Sequence, residues 1–167
     1  MKKIIYFLFV LAVVAAPQFT QAQDEKTPKR PENIEVSDFD TFKNSAFDIL
    51  DESAKLKTDA TKVDTDVKAY ASSLSNASLD KLKNDYAAIR GIAKSSKELT
   101  AKIGDLDTQG KSLLSSAKNV SPRTKSPAAT KNTNSSIKGL DASKKNLEVV
   151  GNLVTTNSKL LADELKK

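Results

Sequence analysis

Three Ser-x-x-Lys pairs, Ser78/Lys81, Ser115/Lys118 and Ser135/Lys138, are the nearest this chain comes to a nucleophile with a base one helical turn away. An amine held beside a hydroxyl can activate it for acyl transfer. In a sequence this rich in Ser and Lys, three matches are what composition alone supplies, and Ser78 is better explained as a helix cap. Two carboxylate pairs, Asp64/Asp66 and Asp105/Asp107, could clamp a cation only if both members faced one point. Two residues apart on a helix they diverge, so solvated helix surface is the favoured account. The chain has no His and no Cys. The neutral-pH base, the thiolate nucleophile and the ordinary zinc or iron–sulfur ligands are therefore missing. Its five glycines stand singly at 91, 104, 110, 139 and 151, so no glycine-rich phosphate loop exists. No catalytic, cofactor-binding or metal site is expected, and the chain does not read as an enzyme.

The elements that would have to position any site are long helices. From Phe39 the apolar residues fall at alternating intervals of three and four: Phe39, Phe42, Ala46, Ile49, Ser53, Leu56, Ala60, Val63, Val67, Tyr70 and Leu74. Ser53 is the exception in that seam. A 3-4 spacing held this long specifies a helix with a supercoiling stripe. Ser37 and Asp40 ahead of it read as a capping box. After "SSLSNAS", Ser78 caps a second helix with the seam Leu82, Ile89, Ile92, Ser96, Leu99, Ile103, Leu106, Gly110, Leu113, Ala117 and Val120. Asp85 interrupts it, and Tyr86 fills that space. "NVSPRTKSP" closes this helix, because an interior proline would cost about 3 kcal/mol. Ser126-Pro127 restarts a third helix, as cap and first helical residue. Its apolar side holds Ile137, Leu140, Leu147, Val150, Val154, Leu161 and Leu165, broadened by Val149, Leu153 and Leu160. No segment alternates like a strand.

The expectation is an all-α fold: an elongated, coiled-coil-like, antiparallel three-helix bundle with helices at roughly 38–74, 79–120 and 127–166. At 1.5 Å per residue each helix would run roughly 60 Å. The main alternative is a helical hairpin whose third helix is swapped between protomers. Glycines inside the second and third helices each cost about 1 kcal/mol relative to Ala. Close helix packing explains them better than opening does, above all for Gly110 on its seam.

The first residues, "MKKIIYFLFVLAVVAAPQFTQAQDE", combine two lysines, an uncharged run from Ile4 to Ala16, and small residues at Thr20 and Ala22. The run is too short to span a bilayer, which takes roughly 20 apolar residues. It reads as a signal peptide over 1–22, cleaved after Ala22, delivering a periplasmic or extracellular protein. Residues 23–36, "QDEKTPKRPENIEV", read as a flexible lead-in, and 37–167 as the bundle domain. Without Cys the exported fold must hold by packing alone.

The formal charge is +6, unevenly spread. Residues 23–79 carry eight Lys/Arg against twelve Asp/Glu, and 80–167 carry seventeen against nine. Part of this suits internal pairing. The remainder marks a candidate basic interaction face: Lys94, Lys97, Lys102, Lys111, Lys118, Arg123, Lys125, Lys131, Lys144 and Lys145. Beyond residue 79 Tyr86 is the lone aromatic, so there is no stacking platform for single-stranded nucleic acid, and no sequence-specific nucleic-acid partner is expected. The composition favours an exported binding or scaffolding protein of a bacterial cell envelope or periplasm. Its partner would be another protein or an anionic envelope polymer, with room for peripheral membrane contact and a homo-oligomer. In size and charge it loosely resembles the periplasmic chaperones of outer-membrane proteins, without a shared motif or their strand-rich body. The alternative is a membrane-active protein whose amphipathic helices engage lipid.

Overall fold

A computed structural model describes residues 27–71 and 78–166. Three long helices dominate: α1 (Ser37–Ala71), α2 (Leu79–Ser116) and α3 (Ser126–Glu164). Single 3-10 turns at Ala117–Asn119 and Arg123–Lys125 connect α2 to α3. No strand occurs among the described residues. The all-α expectation holds. The expected signal peptide, residues 23–26, Leu74 and the "SSLSN" break lie outside the described residues.

The helix starts follow local chemistry, with two corrections. Ser78 caps α2 as expected, its hydroxyl accepting from the Lys81 amide at 3.3 Å. At α1 the Asp40 carboxylate reaches back further than a capping box: it accepts from the Ile34 amide at 2.9 Å and the Val36 amide at 3.2 Å. At α3, Ser126 is itself helical rather than a cap, and its hydroxyl donates to the Ala117 carbonyl. That bond ties the third helix to the end of the second. The connection is consequently a built turn, with Val120 buried in the core.

Apolar burial forms two clusters along the helices. The first joins Phe39, Phe42, Ala46 and Ile49 to Leu99, Ile103, Leu113, Ala129, Leu140 and Leu147. The second joins Ala60, Val63 and Val67 to Ile89, Ile92, Val150 and Leu161, with Tyr86 packed against it. Leu56 touches both. Gly110 lies where all three helices meet: a Cβ there would stand 2.7 Å from Phe42 Cζ and 3.2 Å from Ile137 Cγ1. The packing account of that glycine is the one the geometry supports. Gly91, Gly104 and Gly151 face open space.

The interface of α1 with α3 is polar as well as apolar. Lys43, Ser53 and Asp64 are buried on α1, and Asn132, Thr133, Ser136, Ser143 and Asn157 on α3. The hydroxyls donate to carbonyls of their own helices, Thr133 to Ala129, Ser136 to Asn132 and Ser143 to Gly139, so their burial leaves no orphaned donor. Two polar layers cross the interface. Asn146 donates to the Ser53 hydroxyl at 3.2 Å, and Asn157 to Asp64 at 3.2 Å. Both layers have the same sequence offset of 93, so α1 and α3 step along one another in the same direction.

The lead-in is the largest correction. Residues 27–36 were expected to be mobile, yet they lie along the bundle with Ile34 and Val36 packed on the first cluster. Charge density hid the two apolar residues Ile34 and Val36, which the bend at Glu35 leaves packed on the same cluster.

Candidate interaction surface

The ten basic residues predicted as an interaction face occupy three elements. Lys94, Lys97, Lys102 and Lys111 are on α2, Lys118, Arg123 and Lys125 on the 3-10 turns, and Lys131, Lys144 and Lys145 on α3. All are exposed except Lys125, which is half-buried. They do not converge on one face. Lys102 borders a groove between α1 and α2 that also presents Asp48, Glu52 and Asp105. Lys144 lies on the opposite side of α2, bridging Asp107 at 2.6 Å and Asp141 at 3.2 Å. The hydrogen bond that the Lys144 ammonium donates to Asp107 raises its pKa, against a smaller opposing effect of burial. Lys94 approaches Glu98 at 4.0 Å, and Lys125 pairs with Glu35 at 3.1 Å. The Lys125–Glu35 pair joins the acidic first part of the chain to the basic second part.

The residues that might have done chemistry are dispersed. Asp64 is held by Lys68 at 2.7 Å and by Asn157, while Asp66 is half-buried beside it. Asp105 lines the α1–α2 groove and Asp107 holds Lys144. The Ser115 hydroxyl donates to the Lys111 carbonyl rather than facing Lys118. Among the described residues no group of three or more acidic, His or Cys side chains could hold a metal ion, and no helix is long and apolar enough to cross a membrane.

A more organised surface lies where residues 27–36 cross the groove between α1 and α3. The Arg30 guanidinium bonds Asp48 at 2.6 Å and Asp51 at 3.0 Å, and stands 5.8 Å from the centre of the Phe47 ring. The Asp48 hydrogen bond is the main cause of its raised pKa. The Glu32 carbonyl accepts from Asn132 at 2.8 Å. The Asn33 side-chain amide oxygen, Oδ1, accepts from the ammonium of Lys43, a residue only 2 % exposed. At Glu35 the backbone turns through φ 57°, in the left-handed region, and Lys125 bonds both its carboxylate and its carbonyl. Sequence reasoning missed this surface because Lys43 falls beside the seam, where a lysine ordinarily reaches solvent. The signal available was Asn33 and Ile34 within ten residues of Lys43, too weak to act on alone. No family model, curated protein or solved structure matches the chain.

Proposed function

We propose that the chain is an exported, non-enzymatic scaffold of a bacterial envelope or periplasm, an elongated antiparallel three-helix bundle that binds a protein or anionic polymer through its sides. Cleavage after Ala22 would release the mature form. The contact register supports the bundle: Asp107 of α2 meets Lys144 of α3, and Gly110 meets Phe42 and Ile137, pairings in which numbers rise on one helix as they fall on the other. The observation that carries the binding reading is where the apolar residues go. The three seams cover one another in two clusters, and among the described residues the exposed large hydrophobics are Leu79 and Leu160. What remains outside is charge and hydroxyl, suited to reversible electrostatic contact.

The test is adhesion and leakage with dye-loaded anionic vesicles. A scaffold of this kind releases little dye, and any adhesion falls away as salt shortens the Debye length below about 8 Å. Leakage that persists in high salt, from protein that resists extraction, would replace this reading with a membrane-active one.

A further inference from the structure

We propose that the α1–α3 groove beneath Thr27–Val36 is a docking site for a non-helical segment of a partner protein. The chain's own residues are its resident stand-in, and the partner carries a carboxylate where Asn33 now lies. The proposal deepens the binding reading by naming a site and a ligand chemistry, but it uses a different surface from the exposed lysines.

The segment meets the groove as a bound peptide would. It has no helix or strand of its own, and its anchors are fixed groups of α1 and α3: Asp48 and Asp51 for Arg30, Asn132 for the Glu32 carbonyl, and Lys43 for Asn33. Ile34 and Val36 fill apolar space on the first cluster while Glu35 between them points to Lys125. Main-chain and side-chain groups of the segment are thus held together.

Lys43 shows that the resident segment is not the best occupant. Its ammonium is buried, and its partner is a neutral amide; no carboxylate among the described residues pairs with it. A buried cation gains most from an anion that also accepts its hydrogen bond. An aspartate in place of Asn33 would supply that. The groove therefore selects a non-helical segment with a basic residue, an acidic residue three positions later, and apolar residues at the fourth and sixth, with a bend between them.

The stand-in is also replaceable. At its charged anchors the carboxylates of Asp48, Asp51 and Glu35 are exposed while Lys125 is half-buried, and ion pairs open to solvent on one side hold weakly. Glu35 occupies a left-handed backbone conformation that a non-glycine residue adopts at a cost. Lifting the segment relieves that conformation and uncovers Lys43 and Asn132 together.

Two labelled decapeptides test this against the full chain by fluorescence polarisation: residues 27–36 as they stand, and the same peptide with Asn33→Asp. Both should bind saturably, the acidic one about ten-fold more tightly, as expected when a neutral hydrogen bond becomes charge-assisted. Lys43→Met, with helicity checked by circular dichroism, should abolish the preference. As a readout independent of that variant, Asn33→Asp within the chain should slow amide exchange over residues 27–36 and weaken binding of both free peptides several-fold. Equal affinities, absence of binding, or faster exchange in Asn33→Asp would overturn the proposal. A dimer that swaps this segment between isotopically distinct chains would overturn it too, by assigning the groove to a second copy. Failure here with salt-sensitive vesicle adhesion intact sinks the groove alone, whereas the reverse outcome sinks the exposed-face reading alone.

Discussion

The two halves of the helical body, each around one core cluster, are written in the same 3-4 pattern and built to different standards. Around the α2–α3 connection the core contains Phe39 and Phe42 with Ile49, Ile103 and Leu140, and Gly110 lets the three backbones close on Phe42. Residues 27–36 and the Lys144 bridge brace that half from outside. In the other half α1 contributes Ala60, Val63 and Val67, smaller residues that remove less surface from water. There Asp64 and Asn157 are buried together, and the Asn157 carbonyl oxygen has no partner. Leu79 at 55 % and Leu160 at 45 % exposure also belong to that half. The lesson is that periodicity fixes which face is buried, while residue volume and polar satisfaction decide how firmly. The half holding Ala60 should therefore open first.

The strongest way to break this contrast is truncation in each core. Phe42→Ala should cost about 3–5 kcal/mol in denaturant unfolding, because it leaves a cavity at the three-helix contact. Val63→Ala should cost less than about 2 kcal/mol. Equal losses would mean the halves are equally packed. A finer probe is the buried polar pair. Asp64→Leu alone strands the Asn157 amide and should cost about 1–3 kcal/mol, whereas adding Asn157→Leu should recover most of that loss. A double-mutant cycle with no coupling between the two would show that the pair does not weaken its half. The smallest effect concerns the braces. The Lys144 pKa is raised above its ordinary 10.5 by Asp107, so its stabilisation is complete at lower pH and is lost as pH rises through the folded value. Thermal melts between about pH 9 and 12 should therefore fall less steeply for Lys144→Gln, and only slightly so, since the amine is 45 % exposed. Parallel pH profiles would remove Lys144 from the list of braces.

The seams were legible because their residues are apolar and regularly spaced. Every seam position of α1 from Phe39 to Val67 is buried or half-buried, Ser53 included. What periodicity could not report is the partner of a buried polar group. Lys43, Asn132 and Asn157 look like surface residues one at a time; Asn132 and Asn157 become interior through contacts about a hundred positions away in the chain, and Lys43 is bonded by Asn33, ten residues before it. The docked lead-in was missed for the same reason. Its two apolar residues are outnumbered by charges, and its anchors lie on α1 and α3. The basic residues were legible as exposed, but their count said nothing of convergence, and α2 and α3 carry them to different sides.

The matched polar layers act as a vernier. Ser53 and Asp64 are eleven residues apart on α1, as are Asn146 and Asn157 on α3, close to three helical turns. Sliding α3 by one heptad, the shift an apolar seam tolerates best, would set Asn146 against Ala60 or Ala46 and break both layers at once. The neighbouring frames are thereby excluded, and the nearest slip that keeps one layer intact displaces the helix by about 16 Å.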